Sequence, residues 1–258
     1  MSGIERNFFI LAITFFSVVA ASEILPHNYV YGQEPKHLSS AQKSEVRGLV
    51  REYIIDNPEI IAEAITLLQL RQEEEKLEEQ RAAIIAYEDE TKNPPENTII
   101  GDPDGDVTVV EFFDYNCGYC KSVLPVVINK LRTDGNIRLV LKEFPILGPT
   151  SVMASKAALA SRKQGKYADF HQALMAHKGG FTNSTILSLA QNVGLDSTLL
   201  QIDMDDPEVE KIIETNRALA RELQINGTPA FIIGNTLVPG AISEEELTEL
   251  IENERNDG

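Results

Sequence analysis

The triplet Asn93-Pro94-Pro95 constrains this chain more than any other local feature. Consecutive prolines lack backbone donors and cannot continue a helix, so whatever precedes them ends there. Upstream, apolar residues recur at helical spacing; downstream, they run in β-branched and aromatic blocks. The chain therefore reads as a helical extension over residues 39–92 followed by a mixed domain over residues 96–258.

Within the extension, Val46, Leu49, Val50, Tyr53 and Ile54 share one helical face from Ser39 onward. Asp56-Asn57-Pro58 interrupts them. The proline disfavours helical geometry at Asn57, which is then placed to cap a second helix opening at Pro58. That helix is expected to reach about Glu90. Leu70, Leu77 and Ile84 repeat every seven residues along it, amid eight acids and two bases between Glu73 and Glu90. The charge run reads as a solvated face. The stripe made by Val46, Leu49, Val50, Tyr53, Ile61, Ala64 and Leu68 needs a cover, either its own domain or another copy of the chain.

The mixed domain opens with a strand at Val107–Phe113, a helix from near Cys117 to Leu131, and a second strand at Ile137–Phe144. Residues from about 150 to 206 are helical in pattern throughout, and Pro207 opens a further helix to Leu223. Ala230–Ile233 and Thr236–Val238 form a hairpin about Gly234-Asn235, and Ser243 with Glu246 makes a capping box for a last helix. This order predicts an α/β fold with an all-helical insertion.

Residues 1–22 read as a signal peptide and residues 23–38 as a linker. Phe8 to Ala21 is a fourteen-residue uncharged run. That is shorter than the ~20 residues of a spanning helix and suits the apolar core of a secretory signal. Cleavage is expected near Ala21 or Ser22, although Glu5 offsets Arg6 in the leader; an uncleaved anchor is the alternative. Export would place the chain in a compartment where disulfides persist. With 23 basic and 40 acidic residues, a net charge of −17, the chain offers no basic face for a nucleic acid.

The two cysteines, Cys117 and Cys120, frame Cys117-Gly118-Tyr119-Cys120 between a strand and a helix. Amides at a helix start favour the thiolate, and residues three apart on a helix bring their side chains together. Cys117 is expected to be the exposed nucleophile and Cys120 the resolving thiol. Half a zinc site and an inert disulfide are the alternatives, but no second such motif exists and His27, His37, His171 and His177 are scattered. No cofactor beyond a redox-active Cys117–Cys120 disulfide is needed. At Gly227-Thr228-Pro229-Ala230 a proline precedes a strand; a cis bond and an ordinary trans edge proline fit the tetrapeptide equally.

Taken together, FFDYNCGYCK, Pro125, the helical block and INGTPAFIIG resemble the DsbA family of thioredoxin-fold thiol–disulfide oxidoreductases, over roughly Glu96 to Glu252. The resemblance implies that Cys117 and Cys120 are catalytic, that Pro229 is cis, and that Glu111 is a buried acid assisting proton transfer. It implies that Gly118, Tyr119, Thr228 and Pro229 bind the client chain. Gly118-Tyr119 and Thr228 are similar to the isomerase DsbC rather than to DsbA itself. The segment Arg51 to Pro58 resembles the extension of ScsC-type proteins, trimeric in some members and linked to copper tolerance.

On this reading the chain is a periplasmic or otherwise exported disulfide reductase or isomerase acting on unfolded or misfolded exported proteins. It would be reset by a membrane redox partner and assembled as a homo-oligomer, trimer before dimer. A DsbA-like oxidase and a copper-binding protein using both thiolates are the alternatives.

Overall fold

A computed structural model describes residues 38–257. The expected signal peptide and nearly all of the linker lie outside the described residues. The chain divides into two compact units between Ala62 and Glu63.

The first unit contains helix α1 (Ser40–Asp56) and the opening of α2 (Glu59–Ala86). Ser39 caps α1 reciprocally: its Oγ accepts from Gln42 N at 3.3 Å while Gln42 Oε1 accepts from Ser39 N at 2.9 Å. Asn57 departs from the expectation. Its side-chain nitrogen donates back to the Tyr53 carbonyl at 2.8 Å, so it closes α1 rather than capping α2. No residue of α1 is buried, and Leu49 and Tyr53 are each 61% exposed.

The second unit is built on a five-stranded sheet of order β1-β3-β2-β4-β5. Its strands are β1 (Ile99–Gly101), β2 (Val107–Phe113), β3 (Ile137–Glu143), β4 (Ala230–Ile233) and β5 (Thr236–Pro239). Strands β2 and β3 pair in parallel through helix α4 (Gly118–Asp134), and every other pairing is antiparallel. Strand β1 has no counterpart in the sequence pattern, since three residues are too few to display an alternation. The hairpin turns at Gly234, whose φ of 56° suits a glycine.

Side chains alternate across β2. Val107, Val109 and Phe113 enter the core shared with α4, the helical block and the last helix, α10 (Glu244–Asp257). Val110 and Phe112 enter a second core with Ile84, Leu219 and Leu223. The helical block comprises α5 (Pro149–Ala160), a 3-10 turn (Ser161–Gln164), α6 (Tyr167–Ala176), α7 (Asn183–Asn192) and α8 (Ser197–Asp203). Helix α9 (Pro207–Glu222) then covers the second core.

From Glu63 onward, the helical segment before the prolines is part of this unit. Ile84 of α2 is 2% exposed in the second core. A short helix, α3 (Glu88–Lys92), has two of its carbonyls bound by cations from β3. Lys142 Nζ donates to Glu90 O at 2.6 Å, and Arg138 donates to Lys92 O at 2.8 Å. Cations at a helix C-terminus meet the negative end of its dipole.

Candidate functional site

Cys117 is the N-cap of α4: with φ −73° and ψ 116° it sits just outside the helix. Its sulfur accepts from the Cys120 amide at 3.2 Å, in the position a capping serine oxygen would take. Both cysteines are free thiols. Cys117 is 5% exposed and Cys120 fully buried, so the expected exposed nucleophile is in fact largely covered. Capping turns its sulfur inward, over the helix amides and toward Thr228.

Thr228-Pro229 is a cis peptide bond, and the Thr228 carbonyl accepts from the Cys117 thiol at 3.2 Å. Residues 111 apart in sequence are thereby in contact. Gly118 is exposed and Tyr119 is 72% exposed, both flanking the sulfur on the solvent side.

The two thiols are driven apart electrically. The Cys117 thiol is pulled down to about 6, first by the hydrogen bond from Cys120, then by the Thr228 side chain and the Cys120 and Tyr119 amides, against the opposing effect of burial. Burial pushes Cys120 well above the usual thiol range, reinforced by its bond to Cys117 and by the charge of Glu111. Glu111 lies on the α4 face of β2, in register with Leu141 and Phe231. It is 2% exposed, and burial, with Cys117 adding repulsion, raises its carboxyl to about 8. A carboxyl in this range holds its proton near neutrality and can exchange it with a neighbouring thiol.

Two groups of residues here escaped the sequence reading. Asp114 is fully buried and accepts four hydrogen bonds. Oδ1 takes the Asn116 amide and the Ser151 hydroxyl, each at 2.7 Å; Oδ2 takes the Ile146 and Leu147 amides, each at 2.9 Å. This carboxylate clamps the loop entering Cys117 to the loop entering α5. Asp114-Tyr115-Asn116 carries the signature of an Asx turn, the one local clue.

Behind it lies a second buried acid, Glu143. Its Oε1 accepts from Tyr115 and Tyr167 hydroxyls at 3.1 and 3.0 Å, and burial raises its carboxyl to about 8. His171 Nδ1 lies 3.1 Å from the Tyr115 hydroxyl, and burial depresses its imidazole to about 3. These partners are 24 to 56 residues apart, so no local pattern announces them.

Among the described residues no group of three or more His, Cys, Asp or Glu side chains is arranged to hold a metal ion.

Comparison with known proteins places this geometry. The DSBA-like thioredoxin domain family matches residues 108–252, and the copper resistance protein ScsC N-terminal domain matches residues 42–75. A thioredoxin-like oxidoreductase from Silicibacter pomeroyi is 46% identical, with 65% of this chain and 97% of that one covered at a TM-score of 0.63. Proteus mirabilis ScsC in a transitional conformation is 32% identical, with 86% and 100% covered at a TM-score of 0.63. A periplasmic thioredoxin-like protein from Salmonella enterica serovar Typhimurium is 29% identical, with 66% and 95% covered at 0.60. Among curated relatives, Na(+)/H(+) antiporter NhaA 1 of Salinispora arenicola is 28% identical over 62% of this chain. The chain spans 25% of that protein's length.

Proposed function

Because the chain belongs to the DSBA-like thioredoxin domain family, we propose that it is an exported thiol–disulfide interchange enzyme that reduces and isomerises disulfides in client proteins. The observation carrying this reading is the asymmetric dithiol: a Cys117 thiol near 6 beside a buried Cys120 and the Thr228 carbonyl.

The Cys117 thiolate attacks one sulfur of a client disulfide, forming a mixed disulfide and expelling the other client sulfur as a thiolate. In reduction, Cys120 gives up its proton and attacks the Cys117 sulfur. The second client thiolate leaves and is protonated. Two electrons pass to the client, and a Cys117–Cys120 disulfide remains. In isomerisation the freed client thiolate attacks elsewhere in the client, and Cys117 is released with no net electron transfer. A thiol near 6 lies between the roughly 7 of thioredoxin and 3.5 of DsbA, a poise compatible with either outcome.

Glu111 is the proton acceptor for Cys120 in this scheme, acting through the ionised share, about a tenth at pH 7, that a carboxyl near 8 retains. Glu111→Gln is expected to slow resolution of the mixed disulfide about tenfold or more, within the range of general acid–base effects, while the attack by Cys117 stays fast. Quenched-flow trapping separates the two steps; unchanged resolution would remove Glu111 from the mechanism. The same variant carries a stability signature. The Glu111 carboxyl is raised in the folded state, so wild type loses stability relative to the variant as pH climbs from about 4.5 to about 8, and the gap levels above that.

Insulin reduction and refolding of scrambled ribonuclease test the activity directly. Wild type is expected to perform both and Cys117→Ala neither; inactivity of wild type in both would overturn the reading. A strongly oxidising measured potential with no ribonuclease refolding would favour the oxidase alternative.

Assembly and location complete the proposal. The exposed Leu49 and Tyr53 of α1, and Leu68 of α2, are covered by further copies of the chain, a trimer before a dimer, which places several dithiols at high effective concentration on one client. Leu49→Asp with Tyr53→Asp should yield a monomer in sedimentation that reduces insulin but fails to refold scrambled ribonuclease. Export to the periplasm fits the fourteen-residue uncharged leader and the periplasmic Salmonella relative. There a membrane redox partner would return the dithiol to its working state.

A copper-binding role is the second reading, favoured by the ScsC N-terminal match and by two adjacent thiols suited to Cu(I). Competition with a Cu(I) chelator, comparing wild type with Cys117→Ser, tests it.

A further inference from the structure

We propose that helix α2 supplies one wall of the groove in which client chains bind, and that its Leu77 selects clients with an apolar residue two places from the cysteine under attack. This deepens the thiol–disulfide reading above and rests on it.

A cleft of about 490 Å³ opens beside the Thr228-Pro229 loop. One side is α2, through Glu73, Lys76, Leu77 and Gln80; the other is the Thr228-Pro229 loop with Leu237 and Pro239 of β5. Its volume falls within the ~300–1,000 Å³ of ordinary ligand sites. Neither cysteine lines it; the link to the reactive sulfur is Thr228, which lines the cleft and whose carbonyl lies 3.2 Å from Cys117 Sγ.

The α2 wall is fixed. Leu77 and Ile84 belong to one heptad stripe, and Ile84 is locked in the second core at 2% exposure. Seven residues of helix separate them by roughly 10 Å. The Tyr87 hydroxyl adds a tie to Glu222 at 3.1 Å, just beyond the helix end. Leu77 itself is 44% exposed. An apolar side chain held rigidly at the edge of a reactive site, while its heptad neighbour is buried, is a surface awaiting a partner.

The occupant is an extended client segment. Leu237 and Pro239 pair with Ile232 and Ala230 of the second core, so an extended chain in the cleft lies over the β4–β5 hairpin on the face that α2 covers. With the client cysteine bonded to Cys117, the residue two places on lies roughly 7 Å along and on the same face. Leu77, Leu237 and Pro239 then offer it apolar contact. Charge gives no comparable preference, since Glu73 and Lys76 stand three residues apart on the same wall with opposite signs. This wall lies largely outside both matched stretches: Lys76, Leu77 and Gln80 fall between residues 42–75 and 108–252.

The test uses the reduced full-length chain and two synthetic peptides, each with one cysteine activated as a thionitrobenzoate disulfide. One carries leucine two residues from the cysteine on either side, the other glycine. Release of thionitrobenzoate measures the first exchange step. Wild type is expected to react about tenfold faster with the leucine peptide, the scale of burying part of one apolar side chain. Leu77→Ala and Leu77→Asn should each lower that ratio to about two or less, with thermal unfolding reporting that both remain folded. A wild-type ratio near one, or an unchanged ratio in both variants, would overturn the proposal. So would a change in sedimentation without a change in ratio, which would make Leu77 a contact between copies. Wild-type failure to react with dithiodipyridine, a small disulfide that needs no groove, would instead count against the thiol–disulfide reading itself.

Discussion

Iodoacetamide at pH 6.5 is expected to alkylate Cys117 at least a hundredfold faster than Cys120. With its thiol near 6, Cys117 is about three-quarters thiolate at that pH, whereas an ordinary cysteine of pKa about 8.5 is near 1% ionised. Some of this gain is returned, because nucleophilicity falls with basicity along a Brønsted slope of about 0.4–0.5. A severalfold advantage over a free cysteine survives. Cys120 has neither property: burial holds it protonated, and it is 0% exposed. The Cys117 rate should fall as pH drops through about 6 and flatten above 7.5. Equal labelling of both cysteines, or a midpoint near 8.5, would refute the assignment.

The same shift sets a stability difference between redox states. The Cys117 pKa is lower folded than unfolded, so its contribution to the reduced protein is full above the unfolded value and is lost as pH falls through about 6. The disulfide form has no such group. Reduced protein should therefore gain on oxidised protein in thermal stability as pH rises from 6 toward 9, which makes the disulfide a better oxidant at neutral pH.

Asp114→Ala is expected to destabilise the protein by about 3–5 kcal/mol, the upper end of single-site effects. The substitution removes a buried carboxylate and leaves four donors without it: the Asn116, Ile146 and Leu147 amides and the Ser151 hydroxyl. A donor stranded away from water costs about 1–3 kcal/mol, and relaxation of the two loops recovers part of the total. The loops concerned lead into Cys117 and into α5, so the loss also unfixes the cap geometry that lowers the Cys117 thiol. Denaturant unfolding should register the stability change, and the alkylation profile should shift toward a more ordinary thiol. Asp114→Asn should be intermediate, since it keeps the shape but turns two acceptor positions into donors. A loss below about 1 kcal/mol for the alanine variant would mean the carboxylate is dispensable to the fold.

Local pattern determines much of this protein. A strand of β-branched residues running into a Cys-x-x-Cys placed Cys117 at the start of α4, because cap geometry and dipole are properties of contiguous residues. The hairpin about Gly234 and the breaks at Pro58 and Pro95 followed from backbone freedom at single positions. Thr228-Pro229 was recognised as a motif, but the tetrapeptide fixed neither its cis bond nor its position.

Everything that depends on contact across the chain waited for the tertiary structure. Residues 111 apart put the Thr228 carbonyl on Cys117, and residues up to 37 apart make the Asp114 clamp. The Glu143 cluster joins β3 to the helical block, and burial from all sides raises its carboxyl. The heptad of Leu70, Leu77 and Ile84 makes the same point most sharply. Its spacing determined that the three share a face. Only the packed sheet decided that Ile84 would be core, Leu77 the wall of a cleft and Leu70 left 57% exposed, because burial depends on what stands opposite a side chain, and a one-dimensional pattern holds no record of that.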